Sequence, residues 1–162
     1  MKVGFVMGSD SDLDVVTPAV EIVKSFGVDV NVRVISAHRT PYIAEEFAKT
    51  ARKEGFKVII AAAGKAAHLA GVLAAYTTLP VIALPVSSKS LDGLDALLAM
   101  VQMPPGIPVA CVGIDAGLNA GLLALEMLGI YDQTIAEQLI AYKKDMANKV
   151  IQKDKIVSEM FN

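Results

Sequence analysis

The chain has 162 residues, 54% of them hydrophobic, with no Trp, one Cys and a formal charge of −2. That length suits one domain with a single core, so residues 1–162 are expected to form one unit. A balance this close to neutral, without a basic stripe, excludes the phosphate backbone of a nucleic acid as a partner and leaves small molecules or other proteins.

The first expected strand covers residues 2–7 and stops on Gly8, Ser9, Asp10, Ser11 and Asp12. A helical pattern over 13–26 follows, then a strand over 29–35 that ends in Ser36, Ala37, His38, Arg39, Thr40 and Pro41. After a helix at 41–54 comes a strand at 57–62, closed by Ala63, Gly64, Lys65, Ala66, Ala67 and His68. Helix 66–76, strand 80–86, helix 93–101, strand 108–112 and helix 118–128 continue the alternation. Residues 132–162 then read as one long helix with apolar positions at Ile135, Leu139, Tyr142, Met146, Val150, Ile156 and Met160. Such a helix packs on another subunit or folds back on its own domain, and the pattern leaves both open.

Richness in Ala, Val, Leu and Ile is what strands covered on both faces require. The alternation therefore predicts an α/β protein with right-handed crossovers on a parallel sheet, whose ligands bind beyond the carboxyl ends of the strands. The apolar run after Lys2 is too short for a signal-peptide core, so a cytoplasmic location is expected. Asp115, Asn119 and Glu126 interrupt the longest apolar window, and no membrane span is expected there. Cys111 lies alone in an apolar run and reads as a buried small hydrophobe.

Both histidines of the chain fall in the loops after the second and third strands. Gly8 is expected to turn the chain off the first strand, and Ser9 and Ser11 put hydroxyls beside the unpaired amides of the next helix. That combination suits a phosphate, although an ordinary N-cap looks the same and is the favoured reading of the loop by itself. Arg39 shifts the balance, because its planar fork matches phosphate geometry and it adjoins a histidine. No Asp ends the third strand, as a phosphoryl receiver would need, and no Gly-x-Gly-x-x-Gly follows the first. The Asp-Ser-Asp run lacks the continuation of a dehalogenase-type phosphatase, and two distant histidines make a poor zinc site. Metal-free acid–base chemistry remains.

The strings MGSDSDL (7–13), SAHRTP (36–41), AGKAAHLAG (63–71), LPVIALPV (79–86), GLDALLAMVQMPPGIPVA (93–110) and NAGLLA (119–124) resemble the N5-carboxyaminoimidazole ribonucleotide mutase family of purine biosynthesis. The resemblance holds in order over residues 3–131. It implies a three-layer, flavodoxin-like α/β fold and a cofactor-free transfer of a carboxyl group from a ring substituent nitrogen to the adjacent ring carbon. It implies that Ser9, Ser11 and Arg39 meet the substrate phosphate, Asp12 the ribose hydroxyls, and Ser36 and His38 the reacting imidazole, with His38 as the acid–base group and Gly8 among the substrate-binding residues. Gly64, His68 and Leu69 would enclose the carboxylate or transient carbon dioxide. It also implies a homo-octamer whose sites draw on neighbouring subunits. Where the family's third loop reads Gly-Ala-Gly-Gly-Ala-Ala-His-Leu-Pro-Gly, this chain has Ala62, Lys65 and Ala70 at the first, fourth and ninth positions. The family does without Lys65, so a solvent-facing or structural role is expected for it. A class that carboxylates aminoimidazole ribonucleotide directly resembles the chain less, since it usually has Lys where Arg39 stands. A module that binds the ribonucleotide without turnover is the alternative outside enzymes.

Overall fold

A computed structural model describes residues 1–161. In chain order the elements are β1 (Lys2–Met7), α1 (Leu13–Ser25), β2 (Asp29–Val34), α2 (Pro41–Ala51), β3 (Phe56–Gly64), α3 (Leu69–Tyr76), β4 (Val81–Val86), α4 (Leu94–Val101), β5 (Ala110–Cys111), α5 (Gly117–Gly129) and α6 (Gln133–Phe161). They divide into two compact units, Met1–Ala124 and a second that begins at Leu125, with the boundary falling within the range of α5.

The first unit holds a five-stranded parallel sheet in the order β2-β1-β3-β4-β5, with helices on both sides, as in flavodoxin-like folds. Its central strands are apolar on both faces for a physical reason: Val3, Phe5, Ile59, Ile60, Ile82 and Leu84 each face a layer of helices and are essentially fully buried. Gly4 makes room in β1 for Phe56, which meets Phe47 edge to face at 5.4 Å between ring centroids; a Cβ on Gly4 would lie 3.1 Å from the Phe56 ring. Pro85 sits in β4 opposite Ala63 of β3. It is tolerated because β5 pairs only with Ile82 and Ala83, so the outer side of β4 asks no amide hydrogen of residue 85.

Several ends differ from the sequence expectation, each for a local reason. The fifth strand shrinks to two residues, since Pro108 carries no amide hydrogen for the ladder. Helix α2 stops at Ala51, ahead of the left-handed Gly55 at φ 86°. Helix α3 starts three residues late because Lys65 takes φ 55° and the amides of Ala67 and His68 fold back on the carbonyls of Lys65 and Ala66. Cys111 is half-buried rather than buried, on the short strand β5, and burial pushes its thiol up.

In the second unit Asp132 caps α6, its Oδ1 accepting from the Ile135 amide at 3.1 Å. Lys143 donates from Nζ to Glu126 Oε1 at 2.9 Å. Ile135 and Leu139 of α6 are buried, whereas Ile140, Met146, Val150, Ile151, Ile156, Val157, Met160 and Phe161 are exposed. Among the described residues no helix is long and apolar enough to cross a membrane.

Candidate active site

The loops after β1, β2, β3 and β4 converge beyond the carboxyl ends of the strands, where the sheet order reverses between β1 and β3. They enclose a crevice of about 550 Å³. Gly8, Ser9, Ser11, Asp12, Ser36, His38, Arg39, Gly64 and Leu69 all line it, so of the site residues expected from sequence only His68 is absent from the wall.

Each loop is held by its own bonds. The Gly8 amide donates to the Ala62 carbonyl at 3.1 Å and continues the β1–β3 pairing by one residue. Gly8 does not take a positive φ, and a Cβ there would meet nothing closer than 3.9 Å. The expected turn-making role is therefore corrected: the missing side chain keeps the crevice floor clear, and the backbone would accept another residue. Beyond it the chain makes a single 3₁₀ turn, Asp10–Asp12, before α1. Ser9 caps that turn, its Oγ accepting from the Ser11 amide at 3.3 Å, while Asp12 at the N-cap of α1 makes no capping bond. The Asp12 carboxylate accepts from Ser11 Oγ at 3.2 Å instead. It is the one buried charged side chain of the described residues, and burial pushes its carboxyl above the usual range although hydrogen bonds from Ser11 and the Ser9 backbone pull the other way.

The second loop is a compact knot. Thr40 Oγ1 accepts from the Ser36 amide and donates to the Ser36 carbonyl, both at 3.0 Å. Arg39 is not a loose surface cation: its guanidinium donates to the Gly8 carbonyl at 3.1 Å, and its backbone amide donates to Ser36 Oγ at 3.2 Å. Part of the five-donor fork stays available for an anion, next to the hydroxyls of Ser9 and Ser11. His38 Nε2 and His68 Nδ1 lie 3.0 Å apart, with the rings edge to face. One of those nitrogens carries the proton and the other accepts it, so the two imidazoles share a hydrogen bond across the β2 and β3 loops. His68 thus reaches the crevice through His38.

The fourth wall, Val86, Ser87 and Ser88, escaped the sequence reading. It is fixed by Asp115, whose Oδ1 accepts from the Ser87 amide at 2.8 Å and whose amide donates to the Pro85 carbonyl at 2.9 Å. The signal present in the sequence was a Ser pair after a buried strand, the same signature that marked the first loop. At Gly64, the last residue of β3, a Cβ would come within 3.0 Å of the Val86 carbonyl oxygen, which leaves little room for a side chain.

Comparison with known proteins fits this geometry. A family model described as AIR carboxylase matches residues 2–149. The chain is 58% identical over 156 residues to the N5-carboxyaminoimidazole ribonucleotide mutase of Methanocaldococcus jannaschii, covering 96% of this chain and 97% of that protein. It is 49% identical over 148 residues to the chloroplastic phosphoribosylaminoimidazole carboxylase of Vigna aconitifolia, covering 91% of this chain but 27% of that longer protein. The crystal structure of Treponema denticola PurE superposes with a TM-score of 0.85 at 31% identity, covering 95% of this chain and 96% of that one.

Proposed function

The chain belongs to the AIR carboxylase family, and from that premise we infer that it is an isomerase of purine biosynthesis, converting N5-carboxyaminoimidazole ribonucleotide to 4-carboxy-5-aminoimidazole ribonucleotide. The observation that carries the reading is the meeting of anion-binding groups and an imidazole pair in one crevice: Arg39, Ser9 and Ser11 line it, and so does His38, which is hydrogen-bonded to His68. The ribonucleotide phosphate sits against the Arg39 fork and the two serine hydroxyls, and the ribose hydroxyls reach Asp12. That anchoring lays the imidazole ring over Ser36 and His38.

The chemistry needs one proton moved twice. Protonated His38 gives its proton to the carbamate nitrogen, the bond from that nitrogen to the carboxyl carbon breaks, and carbon dioxide leaves the amine behind. The electron-rich ring carbon next to the amine attacks the trapped carbon dioxide and forms the new carbon–carbon bond. Neutral His38 then removes the hydrogen from that ring carbon, which restores both the aromatic ring and the starting protonation state. Holding carbon dioxide against the ring is a proximity problem, and the small side chains at Ala63, Gly64 and Ala66 shape a close wall for it. Carboxyl transfer within one substrate molecule needs no exogenous carbon source.

The match to part of a longer protein named as a carboxylase supplies a second reading, direct use of carbon dioxide. Incubation with N5-carboxyaminoimidazole ribonucleotide in bicarbonate-free buffer separates the two. A mutase yields the carbon-linked isomer, a carboxylase forms it only from aminoimidazole ribonucleotide plus bicarbonate, and a non-catalytic binder shifts its melting temperature without consuming either compound. Assembly into a homo-octamer and a cytoplasmic location complete the proposal. The exposed apolar residues along α6 support the first.

A further inference from the structure

We propose that Lys65 is a specificity-determining residue that binds the substrate's carboxylate, so that the crevice prefers carboxylated over uncarboxylated ribonucleotide. The inference rests on the mutase reading and deepens it: Lys65 is exposed, as the sequence leads one to expect, and the proposal gives its side chain a ligand as well as solvent. Lys65 lines the crevice, on the β3 loop, while Arg39 lines it on the β2 loop. With β1 between them, the two loops are two strand spacings apart, roughly 10 Å. A ribonucleotide bearing a 5′-phosphate at one end and a ring-borne carboxylate at the other presents two anionic groups at a comparable separation. Arg39 is committed to the first by its bonds to Gly8 and its neighbours Ser9 and Ser11.

Three observations single out Lys65 for the second. It carries the one other cationic side chain on the crevice wall, and the only acidic one, Asp12, belongs to the β1 loop. Its ammonium enters none of the ion pairs among the described residues, which are formed by Lys49, Lys143, Lys149 and Lys155. Its backbone is held at φ 55°, a left-handed conformation that a residue with a Cβ adopts at a cost and that glycine adopts freely. A lysine kept in a strained position, unpaired and facing a ligand cavity, is a signature of function rather than of stability. The amides of Ala67 and His68 are spent on Lys65 and Ala66, so an anion in this corner relies the more on the lysine charge.

The experiment is calorimetric titration of the wild-type protein, Lys65→Met and Lys65→Arg with aminoimidazole ribonucleotide and with 4-carboxy-5-aminoimidazole ribonucleotide. Lys65→Met is expected to lose about tenfold in affinity for the carboxylated compound, on the scale of a lost charge-assisted hydrogen bond, and to bind the uncarboxylated one as wild type does. Lys65→Arg is expected to keep the preference, and the KM of Lys65→Met to rise more than its kcat falls. An unchanged ratio of the two affinities in Lys65→Met overturns the proposal while leaving the mutase reading intact. Equal loss for both compounds overturns it too and assigns the lysine to the phosphate. A wild-type protein that binds neither compound removes the mutase reading and this proposal together.

Discussion

His38 and Arg39 are adjacent in the chain, yet their side chains answer to different loops, Arg39 to Gly8 and Ser36 and His38 to His68. His38→Asn should therefore give a folded protein that still binds ribonucleotide and has lost about a thousandfold in turnover, the scale of a removed proton-transfer group. Solvent exchange of the product's ring hydrogen should disappear with it, as NMR would show; near-normal turnover would return the proton transfer to His68. Asp12 makes a prediction of the opposite sign. Because burial raises its carboxyl, the folded state holds the proton more tightly than the unfolded one. The ionised carboxylate then costs stability above its folded pKa, and the cost fades as pH falls towards the unfolded range near about 3.9. Asp12→Asn should melt at or above the wild-type temperature at pH 7, converge with it in acid, and bind ribonucleotide roughly tenfold less well. The types and positions of these residues were legible as small and polar groups after apolar strands. The bond between His38 and His68, 30 residues apart, was not, since alternation of elements does not say which strands become neighbours.

At the scale of elements, β1 and the start of α1 were readable to the residue, because a run of buried apolar residues ends on Gly-Ser-Asp and the helical pattern resumes at Leu13 after one short turn. The close crossing of α5 on α1 was not readable. A Cβ on Gly117 would lie 2.0 Å from the Val15 carbonyl oxygen, and one on Gly121 would lie 2.4 Å from Ile22 Cγ2 and 2.8 Å from the Ala19 carbonyl. Two glycines four residues apart let the helix backbones touch, and in a sequence they look like weak points in a helix rather than a contact surface. Gly117→Ala should therefore destabilise by about 3 kcal/mol despite alanine's better helix propensity, because the clash is with backbone that cannot swing away. Urea denaturation checks it; an unchanged or raised midpoint would mean that α5 can slide on α1. The Ser87 and Ser88 wall was hidden for a related reason, since its anchor Asp115 arrives from beyond β5.

For the molecule as a whole, α6 carries Met146, Val150, Ile151, Ile156, Val157, Met160 and Phe161 exposed, apolar side chains of the kind that fit a contact with further copies of the chain. Sedimentation is expected to give eight times the 17.1 kDa chain mass, and Val150→Glu with Val157→Glu to give smaller species with reduced turnover. A monodisperse, fully active monomer would refute this. The sheet order also sets when the crevice appears during refolding. Strand β1 finds β2 across one helix, but β3 joins β1 only after a second crossover, and His38 cannot meet His68 before then. Helical signal in the far ultraviolet should accordingly return ahead of ribonucleotide binding, since non-local parallel pairing is slow to form. Ligand added in the interval would capture only chains whose β3 has docked, which makes binding a clock for the completion of the sheet.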